Sequence, residues 1–427
     1  MAAPTQAVVR RARGILLQSV KNTTAARSKT SVEYDVGARL ETRASSTKST
    51  SGTLLCPSCG SNRDAQQTRT FFGLFKNRRS AQPAPVVEDE LPYKVVRLGN
   101  VSARRSVPKD IMKPEYALTG VASAIYHLPI LLQDDEMEKM REAGKMARKI
   151  LDIGASHVKP GVTTDRIDEA IHAACLENNV YPSTLNYKGY PKSVCTSVNN
   201  VMVHGIPDDR ALEEGDMINI DFTVFMNGYH GDVSETYAVG TVDEAGLRLI
   251  QTARRCRDEA IKVCEPVALI ARIGGTVQKV AQQAGFYVCP SFVGHGIGKQ
   301  FHCKPDIWHY ANAYPEKMMP GMAFTIEPVV METPDSFIMA DDGWTVLAKR
   351  HTRSAQFEHT ILITDNGVEV PTASSDENFE REIRSEEEGN DSSSLSDLHQ
   401  IESPSTEGDQ TATGRAKNLR KADWKFD

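Results

Sequence analysis

No apolar run in this chain approaches the roughly 20 residues that a helix needs to cross a bilayer. The longest candidate, 125–132 (IYHLPILL), is short and is interrupted by His127 and Pro129. A strong excess of charge is also missing: the net value is −6 over 427 residues, so nothing global calls for nucleic acid. Cysteine is too sparse for a secreted disulfide framework. Cys175, Cys195, Cys256, Cys264 and Cys289 stand singly, and reduced thiols inside a cell are expected. Cys56 and Cys59 have the spacing of half a zinc site or of a redox pair, but no second pair lies nearby to complete a finger. They read as an accidental pair in a linker.

Acids are absent from the first 32 positions, where the charges are Arg10, Arg11, Arg13, Lys21, Arg27 and Lys29. Residues 8–20 can place apolar and Arg side chains on opposite faces of a helix. That pattern fits an organelle transit peptide over residues 1–30; the alternative is a plain basic tail. Residues 31–107 read as a disordered linker, since their Ser/Thr/Arg/Pro-rich stretch offers no face to bury. Residues 373–427, acidic to about Asp409 and then mildly basic, read as a disordered tail in which ribosome or partner contact is a secondary option.

Between them, residues 108–372 carry regular patterning. Met137, Met140, Met146, Ile150 and Ile153 recur at helical spacing behind Asp134, Asp135 and Glu136, acids suited to a helix N-terminus. Thr163-Thr164 can cap a second helix lined by Ile167, Ala170, Ile171 and Ala174. A third helix is expected over 243–264 with Leu247, Ile250, Ala253 and Ala260 inward, and a fourth over 273–284. Strands are expected within 186–203 and around 291–295, 322–329 and 355–364. Helix pairs between hairpins indicate an α+β domain, a curved antiparallel sheet with helices on one face.

The segment 217–224 alternates strictly, with Ile218, Ile220, Phe222 and Val224 in one row and Asn219, Asp221 and Thr223 in the other. Asn227-Gly228 supplies the positive-φ pair of a two-residue hairpin turn. Met226 then pairs with Tyr229, Thr223 with Asp232 and Asp221 with Ser234. Asp221 and Asp232 become diagonal neighbours on one face, roughly 7–8 Å apart at the backbone. Acids facing water would satisfy this hairpin alone. However, Glu327 (in FTIEP) and Glu358 (in SAQFEHT) also fall on polar rows of strand-like segments, and buried acids are rare unless paired or bound to a cation. His295, between two glycines in 292–298 (FVGHGIG), joins them.

Asp221, Asp232, His295, Glu327 and Glu358 would form an oxygen-rich site with one nitrogen ligand. Four carboxylates suit two divalent ions, with Asp232 and Glu358 bridging, Asp221 completing one ion, and His295 with Glu327 the other. Mn²⁺, Fe²⁺, Co²⁺ or Zn²⁺ fit such donors.

The segments HGIPDD, NIDFTV, GYHGD, FVGHGIG, FTIEP and SAQFEHT, in this order, closely resemble those of the type 1 methionine aminopeptidases. Residues 253–260 (ARRCRDEA) and 303–312 look most like the mitochondrial branch. The resemblance implies the pita-bread fold, a pseudo-twofold arrangement around a dinuclear centre, and removal of the initiator methionine when the second residue is small. It implies a monomer in the mitochondrial matrix acting on nascent polypeptides, with no direct nucleic-acid or membrane role; plastid and cytoplasm are the other locations. It places His204 and His302 at the scissile amide, gives Glu327 a proton-shuttling role, and lines a methionine pocket with Tyr187, Tyr190, Cys195, Phe301 and Trp344. Cys303 and Lys304 replace acids that the family often carries at the pocket rim, and Thr184 stands where bacterial members often have Cys. A proline-specific aminopeptidase of the same fold, or an inactive binding protein built on it, is the competing reading.

Overall fold

The computed structural model describes residues 88–124, 128–377 and 379. The basic leader, Cys56, Cys59 and the acidic stretch beyond Phe379 lie outside the described residues. Four α-helices are present among the described residues: α1 (Asp134–Ala155), α2 (Thr164–Glu177), α3 (Glu244–Lys262) and α4 (Ala271–Gln283). Among the described residues, none is long and apolar enough to cross a membrane. Thr163 caps α2 by accepting from the Arg166 N–H, and Asp243 caps α3 by accepting from Gly246.

The central sheet comprises β1 (Tyr181–Pro182), β2 (Cys195–Val198), β3 (Met217–Met226), β4 (Tyr229–Ala238), β5 (Val293–Gly296), β6 (Cys303–Trp308), β7 (Ala323–Ile326), β8 (Glu358–Ile363) and β9 (Val368–Glu369). Their spatial order is β1-β3-β4-β8-β7-β5-β6, with β2 also on β3 and β9 on β8. Every pairing is antiparallel. The β3–β4 register is the expected one: Met226 faces Tyr229, Thr223 faces Asp232 and Asp221 faces Ser234. Asn227 and Gly228 take φ of +52° and +86° at the turn.

Two cores underlie two halves of the sheet. In the first, Ile150 and Leu151 of α1 and Ile167 and Ile171 of α2 pack with Ile218, Ile220, Phe222 and Val224 of β3. In the second, Leu249, Ala253 and Cys256 of α3 and Ile273 and Val277 of α4 pack with Phe324, Ile326, Ile361 and Ile363. Helix pairs thus cover one face of each half, which leaves the polar rows of the strands on the opposite face. This repeated helix-pair-on-hairpin plan is the pita-bread arrangement.

Three expectations are corrected. Leu247 points out, 41% exposed, and the inward stripe of α3 runs through Leu249, Ala253, Cys256 and Ala260. That phase also buries Arg257, whose guanidinium pairs with Asp258 and Glu377 and lies 5.5 Å from the Phe357 ring centroid. Strand β6 carries Pro305 and was not apparent in the sequence; as the edge strand it can lose one ladder donor. The fold also takes in chain beyond 108–372. Upstream, Val96 N donates to Asn200 Oδ1 at 2.6 Å, and Tyr93 Oη to the His351 carbonyl at 2.8 Å. Downstream, Glu377 lies 3.2 Å from His359 Nε2, and Phe379 packs against the second core. Composition hid both segments because their contacts, polar and apolar, are made one residue at a time.

Candidate metal centre and substrate pocket

Five strands that are consecutive in space each deliver one of the five candidate ligands: Asp221 on β3, Asp232 on β4, Glu358 on β8, Glu327 directly after β7, and His295 on β5. Glycines make the last approach possible. A Cβ on Gly294 would stand 2.4 Å from the Thr325 carbonyl oxygen, and one on Gly296 would stand 2.1 Å from that of Lys304. Only bare backbone lets β7 and β6 close on β5 from both sides.

Asp232, His295 and Glu358 converge so that one ligand atom of each lies within 4.8 Å of the others. Glu327 joins them through Oε1, 3.6 Å from His295 Nε2; that nitrogen is 3.8 Å from Asp232 Oδ2. These separations exceed hydrogen-bond length. They leave room between the ring nitrogen and the carboxylate oxygens for a shared cation. Asp221 stands outside that trio, yet its charge raises the proton affinity of Asp232, Glu327 and Glu358.

The electrostatics agree. Burial pushes the Asp221 carboxyl up to about 7. Burial first, and then mutual repulsion, lifts Asp232, Glu327 and Glu358 well above the carboxylate range. Glu358 Oε1 is buried with no hydrogen-bond partner. Converging acids of this kind need protons or cations, and the neutral imidazole beside them favours cations. Burial holds His295 down to about 4, so its ring is uncharged and has a lone pair to give at neutral pH. The donor set therefore fits divalent metal.

Hydroxyl and amide groups aim the candidate ligands. Thr223 donates to Asp232 Oδ1 at 2.6 Å. Thr325 donates to Glu327 Oε1 at 2.8 Å and accepts the His295 N–H at 3.0 Å. Gln356 Nε2 donates to Glu327 Oε2 at 3.2 Å, and the Glu327 N–H donates to His309 Nε2 at 3.0 Å. Thr223 and Thr325 share polar rows with the acids, so strand parity could have nominated them. His309 has no such signal.

The remaining candidates gather at one side of this cluster. The His302 ring lies 4.1 Å from His295 and 4.2 Å from Phe301, centroid to centroid. Tyr187 packs 4.8 Å from Phe301 and 5.0 Å from His302. Tyr190, Cys195 and Ile206 form a buried apolar group against Trp344, whose ring is 6.1 Å from His204. Cys195 pairs across the ladder with Asp221, which joins this pocket to the acids. Burial lowers His204 to about 4 and holds His302 well below the usual histidine range, the latter also through His295 and His204. His204 sits at φ +58°, a left-handed conformation unusual for a residue with a side chain. The backbone persists there because Gly205 follows, where a Cβ would meet the Thr196 carbonyl oxygen at 2.1 Å. Of the rim substitutions, Cys303 is buried, Lys304 pairs with Asp306 at 2.5 Å, and Thr184 donates to the Lys192 carbonyl at 3.2 Å.

Residues 138–365 match the sequence profile of metallopeptidase family M24. The chain is 48% identical over 283 residues to methionine aminopeptidase 1D, mitochondrial, of Homo sapiens, covering 66% of this chain and 84% of that one. It is 45% identical over 313 residues to methionine aminopeptidase 1D, chloroplastic/mitochondrial, of Arabidopsis thaliana, covering 72% and 87%. Among solved structures, methionine aminopeptidase from Rickettsia prowazekii superposes with a TM-score of 0.56 at 41% identity, covering 58% of this chain and all of that one. The chain belongs to metallopeptidase family M24, within the organellar branch of its type 1 methionine aminopeptidases.

Proposed function

We propose that this enzyme hydrolytically removes N-terminal methionine from newly made proteins whose second residue is small, with two divalent cations held by Asp221, Asp232, His295, Glu327 and Glu358. The observation that carries the reading is the delivery of one ligand by each of five neighbouring strands into a buried, mutually repelling acid cluster. Cations bound there would supply Lewis-acid polarisation of the scissile carbonyl and a water that ionises near neutral pH.

The chain's own groups do the rest. Tyr187, Tyr190, Cys195, Phe301 and Trp344 enclose the thioether side chain in soft, aromatic surroundings. The free ammonium of the substrate sits beside Asp221, so a formylated terminus is excluded and a deformylase must act first. Neutral His302 donates an N–H to the carbonyl oxygen as it gains negative charge. Glu327 takes, on a carboxylate oxygen, the proton given up by the attacking water and returns it to the departing amine, and His204 steadies that nitrogen. Asp232 and Glu358 would be the carboxylates shared between the two cations.

Turnover of Met-Ala-Ser and of Xaa-Pro peptides by the metal-loaded enzyme tests the activity. Release of methionine from the first and no cleavage of the second is expected; cleavage of only the second would make it a proline-specific enzyme. The basic leader, taken with the organellar relatives, supports import into the mitochondrial matrix. A fusion of residues 1–60 to a fluorescent reporter should enter the organelle, and a cytosolic fusion would refute the address.

A further inference from the structure

The aromatic side of the pocket depends on an awkward loop. Tyr187 lies between Asn186 at φ +62° and Lys188 at φ +48°, with Gly189 at +86°. Side-chain-bearing residues keep such backbone only where their surroundings hold it. The groups that hold it come from residues 102–120, upstream of the 138–365 match to the family. The Arg104 guanidinium donates to Asn186 Oδ1, and Asn186 Nδ2 donates to the Ala117 carbonyl at 2.9 Å. At the loop's far end, Lys192 Nζ donates to Ser102 Oγ at 2.6 Å. Arg105 holds Asp168 at 2.9 Å, and the other Asp168 oxygen accepts the Ser193 N–H at 2.7 Å.

Tyr116 is the centre of this brace. It is 1% exposed, and its hydroxyl donates to the Ser183 carbonyl at 2.6 Å. Its ring meets Tyr187 edge-on, with centroids 4.9 Å apart and planes at 77°. It also stacks on His230 at 6.3 Å, and His230 stacks on Phe301 at 5.3 Å with planes 12° apart. Both aromatic walls, Tyr187 directly and Phe301 through His230, therefore rest on one side chain.

We propose that Tyr116 is a positioning residue that sets the width of the side-chain pocket, and with it the preference for methionine over branched residues. The proposal rests on the pocket reading given above. An ordinary core residue whose loss partly unfolds the enzyme lowers the active fraction; kcat falls, while KM and discrimination stay fixed. A pocket-setting residue moves KM and discrimination instead.

The test uses the full chain, metal-loaded, with Met-Ala-Ser and Leu-Ala-Ser peptides. Tyr116→Ala should raise KM for the methionine peptide about tenfold with kcat within about twofold. The Met/Leu ratio of kcat/KM should fall about tenfold. Tyr116→Phe, which keeps the ring, should restore both values. Arg104→Ala, at an exposed position, loosens the same loop without opening the core and should shift the ratio in the same direction. Tyr187→Ala is the reference for the pocket itself. An unchanged ratio in both the Tyr116→Ala and Arg104→Ala enzymes, beside a shifted ratio in Tyr187→Ala, overturns the brace. An unchanged ratio in all three overturns the pocket reading, and the brace falls with it.

Discussion

In the first half of the sheet, β3 and β4 each run ten residues in unbroken register, and both proposed ligands they carry are aspartates. In the second half, β5 and β7 are four residues long, β5 shifts register against β6 at His295/Gly296, and the proposed ligands are a histidine and two glutamates. The difference is one of reach. A short carboxylate must be placed by its backbone, so it requires a regular strand at the right parity. A longer side chain spans the gap that an interrupted strand leaves, provided something else aims it. Thr325 and Gln356 do that aiming for Glu327 in the second half, with His309 fixing its backbone N–H, while Thr223 suffices for Asp232 in the first.

The largest test of this division removes a ligand from the regular half. Asp232→Asn should lose bound metal and more than about 100-fold in turnover, beyond what loss of an orienting partner costs. The domain should stay folded, because the substitution relieves repulsion on Glu327 and Glu358. Metal content by elemental analysis, turnover of Met-Ala-Ser and circular dichroism check it together; full turnover would remove Asp232 from the bridging role.

Regularity also decided what could be read in advance. Strict alternation and Asn227-Gly228 placed Asp221 and Asp232 on one face with the register later found, because a two-residue turn fixes every pair behind it. The acids of the second half were found by parity within short segments, but the strand between them was not: Pro305 disguises β6. The phase of α3 slipped because Leu247 and Leu249 are both apolar, and only the packing of Ala253, Cys256 and Ala260 chooses between them. Arg257, buried among opposite charges, argued against that choice in any hydrophobic pattern. Tyr116 meets Ser183, Tyr187 and His230 from far away in the sequence, and nothing local announces either it or His309.

A smaller effect separates the two halves by their supporting hydroxyls. Thr325 serves two ligands at once, accepting the His295 N–H and donating to Glu327, whereas Thr223 serves Asp232 alone. Thr325→Val should weaken metal affinity by about 10–100-fold, the range for outer partners of metal ligands. Thr223→Val should cost about tenfold or less, at the lower end of that range. Calorimetric titration of each metal-free variant measures the order, and equal losses would mean that the irregular half needs no more aiming than the regular one.

The smallest effect is a difference of sign in the response to pH once metal is stripped. Both first-half ligands are acids, whereas the second half includes His295. Asp221 is held near 7 when folded and titrates near 4 when unfolded, so the folded state carries the extra proton between those values. Its contribution to stability is therefore present below about pH 4 and drains away as pH rises through 7. His295 and His204, held down to about 4, behave oppositely. Between about 4 and 6.5 the unfolded state carries their proton, so they add stability as pH rises. Asp221→Asn removes the first contribution and leaves the second. In the metal-free enzyme, the Tm of Asp221→Asn should equal that of the parent near pH 4. It should exceed the parent's by roughly 5 °C at pH 7.5, the size expected when a buried charge is removed from a domain this large. Saturating divalent cation should erase or reverse the gain, because the parent then binds the ion more tightly and gains stability by mass action. A Tm difference that stays flat from pH 4 to 7.5 would show that Asp221 is solvated like a surface acid, and would detach it from the cluster that the other four residues form.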